Sequence, residues 1–413
     1  MNRRKILRVG LVVGIIFLLV VGQSVLAYTQ RFPHQSLQQN VASWARNNYL
    51  GVVVDKLEAW THNDPPSVTP ADSLALVTTD TDPVVATTTS TSTSTAIPRT
   101  TTTTMLNTGP TIPTTSTTTT TSTTIPIPTT TIAGQPANVS AVILPVLARE
   151  GIWVPIQNLR RTPLIWATSI RPLSKYGSVV ATAATFDPLS VRVGLFNGTE
   201  MPGKGPWINK NKITEKALPS LLGTFNGGFR FEHEPGGYFT EKRTIRKMKK
   251  GYATFAIRTD GTSTIGVWGD DLHNDGTWTT LRQNLPPIVQ QGRSSFQNYP
   301  DIHWGNDYDN KLYTFRSAAC LRTDGRIMFV AVGKVNIKML AQTLIVLGCD
   351  TGMQLDINGS WPHFATYSGF GTKQRWGKTL DRRMGDPDRF TFGSTKDFFA
   401  LFDPQTLPKH VVR

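Results

Sequence analysis

Cysteine is nearly absent: Cys320 and Cys349 are the only two in 413 residues. That excludes a disulfide-rich scaffold and any zinc site built on paired cysteines. The two could join in one disulfide or serve as small buried apolar residues, and spacing does not decide between these. The seven histidines are scattered, with no HExxH pair, and no P-loop, GxGxxG or GxSxG motif occurs. Neither a metal site nor a cofactor is therefore expected, and nucleotide-dependent and serine-hydrolase chemistries of the usual kinds fall away. The loop Asn306-Asp307-Tyr308-Asp309-Asn310 has oxygens for calcium, but its spacing matches no specific calcium loop and solvent exposure explains it more simply. Acidic residues are also scarce: 28 Asp+Glu stand against 43 Lys+Arg, a net charge of +15. The densest basic cluster, Arg243, Arg246, Lys247, Lys249 and Lys250, has no interleaved aromatics and no nucleic-acid motif. It reads as a solvated face, so no nucleic-acid partner is expected.

What the chain does have begins at its N-terminus. Arg3, Arg4, Lys5 and Arg8 precede an apolar run from Val9 that continues to Ala27. At about 1.5 Å per residue the run approaches bilayer thickness, and the cations before it put the N-terminus in the cytoplasm. A cleaved signal peptide ending at Val25-Leu26-Ala27 is the competing reading; either way the rest lies outside the cytoplasm. Next, Val41, Trp44, Ala45, Leu50, Val53, Leu57 and Trp60 give a partial helical stripe over Leu37–Trp60, ended by Pro65-Pro66. From about Thr79 to Ile132 threonine runs punctuated by prolines carry too little apolar surface to offset chain entropy. The expected organisation is a cytoplasmic tail over 1–8, a transmembrane signal anchor over 9–27, a juxtamembrane helical segment over 28–66, a disordered Thr/Pro-rich stalk over 67–140, and one globular domain over 141–413. Such an anchor implies a single-pass plasma-membrane protein with its C-terminal domain outside. Its excess cations suit phosphate-rich wall polymers or lipid headgroups.

Within the domain, short alternating or β-branched runs predict strands at Leu164–Arg171, Val179–Phe186, Val191–Phe196, Ala253–Ile257, Ser263–Trp268, Ala318–Leu321 and Ile327–Val332. Asp260-Gly261 and Asp324-Gly325 are hairpin turns between consecutive runs. Ile337, Leu340, Ala341, Leu344 and Ile345 keep helical spacing, with Asn336 as N-cap and Gly348 beyond the end. Strands outnumber helices, and the fold class is α+β: a mixed, largely antiparallel β-sheet domain with few helices, preceded by the transmembrane helix and the stalk.

Three Gly/Asn-rich turns follow apolar strands: Asn226-Gly227-Gly228-Phe229, then Arg316-Ser317-Ala318 before the Asp324-Gly325 hairpin, then Asp356-Ile357-Asn358-Gly359-Ser360. Taken singly each is ordinary turn chemistry. In this order and spacing they resemble the phosphodiester glycosidase family, whose members carry an Asn-Gly-Gly-Phe turn, an Arg-x-Ala motif before a hairpin, and an Asp-Gly-Gly-Gly-Ser turn after a helix. The stretches Glu150–Ile156, Gly266–Asp271, Arg282–Val289, Leu355–Asn358 and Ser394–Leu401 are similar to a membrane-anchored bacterial branch of that family. Here Ile357 and Asn358 stand where the wider family has two glycines.

The resemblance implies an extracytoplasmic hydrolase that cleaves sugar-1-phosphodiester linkages in cell-envelope glycans. The alternative is a non-catalytic module that binds anionic wall glycans. Expulsion of a phosphate monoester, whose second pKa is near ~6, needs little protonation, so a cation fork and one carboxylate can suffice. On that reading Arg316 clamps the phosphate and Asp356 is the base or transition-state stabiliser. Asn226, Asn358 and Ser360 bind substrate, and the amides of Gly227 and Gly228 form an anion nest. Arg230, His233 and Glu234 are weaker candidates, equally explained by a surface salt bridge.

Overall fold

The computed structural model describes residues 3–48, 50–51, 53–54, 56–57, 64–75, 132–233, 236–305, 312–359, 361–369 and 376–413. Helix α1, Arg3–Arg31, contains an 18-residue window, Gly14–Arg31, long and apolar enough to cross a membrane. Helix α2, Leu37–Asn47, starts with a reciprocal cap. The Ser36 amide donates to Gln39 Oε1 at 2.9 Å, and the Gln39 amide donates to Ser36 Oγ at 3.2 Å. The helix expected over Leu37–Trp60 is thus regular to Asn47, helical conformation recurs at described residues between 51 and 57, and Trp60 lies outside the described residues.

The remainder is dominated by antiparallel strands, as the fold class anticipated. An eight-stranded sheet has the order β1 (Val154–Leu159), β2 (Thr162–Ile170), β3 (Ala181–Phe186), β14 (Ile327–Val335), β13 (Thr314–Arg322), β15 (Cys349–Ile357), β11 (Val289–Gln290) and β12 (Arg293–Ser294). A second sheet joins β7 (Arg243–Arg246), β6 (Tyr238–Thr240), β10 (Trp278–Gln283), β8 (Ala253–Arg258) and β9 (Ser263–Val267). A third joins β17 (Trp376–Thr379), β16 (Phe364–Ser368), β5 (Leu221–Asn226), β18 (Phe398–Phe402) and β4 (Arg192–Phe196). Successive strand residues point to opposite faces, and β14 uses both. Met328, Val330 and Val332 enter a core roofed by helix α3, Ile337–Val346, while Ile327, Phe329 and Ala331 enter the core facing β4, β5, β8 and β18. Central strands buried on both faces read as near-continuous apolar runs, which is why they were legible. Helix α3 is capped as expected: Asn336 Oδ1 accepts from the Met339 amide at 3.0 Å. A four-residue helix α4, Arg389–Phe392, lies shortly before β18.

Cys320 on β13 and Cys349 on β15 form a disulfide, with Cα atoms 5.8 Å apart. The threonine runs lie outside the described residues, between 76 and 131. The flanks of the expected stalk pack on the domain. Ala71 donates to the Gly177 carbonyl at 2.9 Å, and Val139 donates to that of Gly151 at 2.8 Å. Trp153 Nε1 donates to the Ala137 carbonyl at 3.1 Å. The stalk boundaries of 67 and 140 therefore move inward, because backbone groups on both flanks find partners on the domain.

Candidate functional site

The C-terminal end of β5, the last turn of β15 and the approach to β18 meet at one place. Asn226 pairs with Phe398 across β5 and β18, and the Asp356 amide donates to the Gly227 carbonyl at 3.1 Å. Asn226 fastens the junction with its whole side chain. Its Nδ2 donates to Ser317 Oγ at 3.0 Å and to the Gly227 carbonyl at 2.9 Å, and its Oδ1 accepts from the His363 amide at 2.9 Å. Ser317 in turn donates to the Asp356 carbonyl at 2.7 Å. Asn226 and Asp356, 130 residues apart in sequence, are thus tied together by one intervening hydroxyl.

The two glycines after Asn226 are required by close approach. The Gly227 amide donates to the Asp397 carbonyl at 3.1 Å, and a side chain at Gly227 would strike the Asp397 carboxylate. A Cβ on Gly228 would lie 2.9 Å from Asn284 Oδ1. Behind the turn Arg282 and Asp397 form a fully buried ion pair, Nε to Oδ2 2.8 Å. The Gly227 amide, expected in an anion nest, is engaged within the protein.

Beside this junction Asp356 Oδ2 accepts from Lys396 Nζ, and both residues are buried. The second Asp356 oxygen accepts the Ile357 amide at 3.0 Å. Burial lowers the Lys396 ammonium from its ordinary value, Asp356 opposes that shift, and Arg230 reinforces it. Lys396 Nζ and the Arg389 guanidinium both sit over the Trp361 ring, 4.6 and 4.8 Å from its centroid. Burial pulls Arg389 down to about 10, with Asp356 resisting. His363 is fully buried, neither ring nitrogen has a hydrogen-bond partner, and burial beside Arg389 lowers its pKa well below the usual value. Lys396 is bonded to Asp356, Arg389 lies near enough for that carboxylate to raise its pKa, and the Arg230 charge acts on Lys396.

The expected phosphate clamp sits elsewhere. Arg316 points from β13 into the helix-covered core, where its Nε, Nη1 and Nη2 donate to the carbonyls of Val335, Trp304 and Leu312 at 2.9, 2.8 and 3.0 Å. Its guanidinium ties loops to the sheet. Asn358 adopts φ +73°, a left-handed conformation that asparagine tolerates, and its Oδ1 accepts from Thr314 Oγ1 at 3.0 Å. Ile357 is extended and buried in the core, so neither replaced glycine leaves a gap in the turn. Ser360 and Glu234 lie outside the described residues, as does the 306–310 loop. His233 is partly exposed and lies 3.9 Å from Glu232.

Nearby, Arg230 Nη2 donates to Glu200 Oε2 at 2.7 Å and to Ser43 Oγ, on α2, at 3.3 Å. Glu200 Oε1 also accepts from Asn47 Nδ2 at 2.7 Å and from the Tyr28 hydroxyl. The segment after α1 therefore lies against these two residues. Lys396 and Arg389 went unassigned in the sequence, although Lys396 stands in the Ser394–Leu401 stretch noted above.

Comparison with known proteins bears on the same segment. Residues 221–361, from β5 to Trp361, match the phosphodiester glycosidase family. The segment holding the Asn226 turn and Asp356 thus carries the family resemblance read from the sequence. No curated protein matches the chain. Among solved structures, the zebrafish N-acetylglucosamine-1-phosphodiester alpha-N-acetylglucosaminidase catalytic domain, auto-inhibited by its pro-peptide, is 16% identical over 60% of this chain and 87% of that one, with a TM-score of 0.41. A hypothetical protein from Synechocystis is 12% identical over 59% and 63% of the two chains, TM-score 0.39. A putative exported protein from Burkholderia pseudomallei is 13% identical over 56% and 75%, TM-score 0.30.

Proposed function

We propose that the domain hydrolyses sugar-1-phosphodiester linkages in anionic cell-envelope glycans, held outside the plasma membrane by α1. The observation that carries this reading is the buried Asp356–Lys396 pair, flanked by Arg389 and Arg230, within reach of the family's Asn-Gly-Gly-Phe turn. A phosphodiester entering the cleft competes with Asp356 for Lys396. The phosphate oxygens take the cations, and the freed carboxylate faces the anomeric carbon. The bond from that carbon to the phosphate oxygen breaks with its electron pair going to phosphate. Water supplies the new hydroxyl, and its proton passes to Asp356 and then to solvent. The leaving phosphate monoester is stabilised by three fixed cations and needs no dedicated acid. The disulfide between Cys320 and Cys349 supports an oxidising, extracytoplasmic location, and the cations before the apolar run support the orientation.

The test is release of N-acetylglucosamine from a small N-acetylglucosamine-1-phosphodiester by the full chain. Asp356→Asn and Lys396→Met should each lower kcat/KM by about 100-fold or more, in keeping with loss of a general base or a charge stabiliser. No release by the wild type, with retained binding of a wall polymer, would move the protein to the binding-module reading. Equal release by all three would dismiss both residues.

A further inference from the structure

The basic cluster over Arg243–Lys250 finds no use in the cleft, and one end of it opens on a different feature. A hollow of about 390 Å³ lies between the β6–β7 hairpin, the start of β4 and the β8–β9 turn. Four cations line it: Arg192, Lys242, Arg243 and Arg413. The carboxylates nearby are already engaged. Glu241 accepts from the Ile208 and Asn209 amides at 2.9 and 2.8 Å, and Asp260 accepts from the Thr262 amide and hydroxyl at 2.9 and 2.7 Å. Among the described residues, none of the four cations forms an ion pair within 4.0 Å.

The hollow is also built firmly. Glu241 and Lys242 both take left-handed backbone, φ 50° and 61°, forming the tight turn of the β6–β7 hairpin. That strained turn is held by the two Glu241 bonds and by the Lys242 amide donating to the Thr279 carbonyl at 3.1 Å. It thereby presents Lys242 and Arg243 to the hollow. Arg192 is half-buried and its Nε has no partner; burial lowers its pKa, Asp260 resists that shift and the Arg413 charge adds to it. Fixed like charges of this kind are relieved by an anion.

The hollow connects to the cleft rim. Strand β7 leads away from it to Arg246, whose Nη1 donates to the Phe231 carbonyl at 3.2 Å, next to Arg230. Arg243 to Arg246 spans roughly 10 Å at the rise of a strand. A small ion would occupy one end only, whereas a linear polyanion can follow the strand.

We propose that this hollow is a second anion site, separate from the Asp356 cleft, which holds phosphate groups of a linear phosphodiester polymer running along β7. It does not depend on any reaction at the cleft. The experiment measures fluorescence anisotropy of labelled linear polyphosphate with the full chain in neutral detergent. Arg192→Gln, and separately the exposed pair Lys242→Gln/Arg243→Gln, should each weaken binding about tenfold, the loss expected for removing charge-assisted contacts. The charge-matched control Lys175→Gln/Lys338→Gln, in a different groove, should keep wild-type affinity. Release of sugar from the small phosphodiester should be unchanged in the hollow variants, which separates this site from the cleft. The proposal is overturned if the hollow variants bind like wild type, or if the control pair loses as much. It is equally overturned if orthophosphate binds as tightly as polyphosphate, or if phosphatidylglycerol micelles displace the polymer through the same residues.

Discussion

Arg316 donates from all three guanidinium nitrogens to main-chain carbonyls, and a lysine at that position has a single nitrogen to offer. Arg316→Lys should therefore lose about 3 kcal/mol of stability in urea unfolding, through carbonyls left without donors. At the same dose it should leave KM of the folded fraction unchanged, as befits a residue outside the cleft. His363 provides a prediction of pH dependence. Its folded pKa lies below the unfolded value of 6.5, so the unfolded chain binds more protons as pH falls through that value. The contribution is fully present above pH 6.5 and is lost on acidification towards the folded pKa. Thermal unfolding of wild type should fall more steeply below pH 6.5 than that of His363→Gln, by up to about 1.4 kcal/mol per pH unit. The two residues also mark what a residue-by-residue reading can reach. Arg316 and Asp356 became candidates through the order and spacing of three turns that resemble a known family, yet which way each points depends on the pleat and on the β-bulge where β13 meets β15. Lys396 was illegible because a lysine two residues before a strand is ordinary until Asp356, 40 residues earlier, is found against it.

Strands β13 and β15 are neighbours in the eight-stranded sheet, and the Cys320–Cys349 bond crosses between them, closing a loop over the β13–β14 hairpin and α3. Cross-linking residues 29 apart removes unfolded-state entropy worth about 3–4 kcal/mol in the chain-entropy description. Cys320→Ala/Cys349→Ala should lower stability by that order in denaturant titration, with sugar release retained below the new transition. The elements themselves were mostly readable. The Asn336 cap, the α3 stripe, both Asp-Gly hairpins and the long central strands follow from local chemistry, and the structure contains them. The short strands β6, β7, β11, β12 and β17 were not, since two to four residues carry too little pattern to be distinguished from loop, and the longer β1, β10, β16 and β18 were not assigned either.

On the scale of the whole molecule, the Thr-rich segment leaves the domain and comes back to it. Ala75 is bonded through its carbonyl to the Arg382 amide at 3.4 Å, and the Gly134 carbonyl accepts from Arg326 Nη2 at 2.7 Å. Replacing residues 76–131 with a flexible Gly-Ser linker of about 25 residues, long enough to cross the domain, should change stability by less than about 1 kcal/mol in thermal unfolding. Meanwhile Tyr28, near the end of α1, and Asn47 on α2 bond Glu200, and Ser43 on α2 accepts from Arg230. The sequence by itself determined the apolar helix, the low-complexity segment, the strand-rich fold class and the family turns, because each is written in local composition, periodicity or order. Only the tertiary structure decided that Asp356 pairs with Lys396, that Arg316 faces the core and that Ala75 and Gly134 are bonded to the domain. Those facts depend on sheet order and register between distant strands, and no local pattern fixes which residues a fold brings into contact.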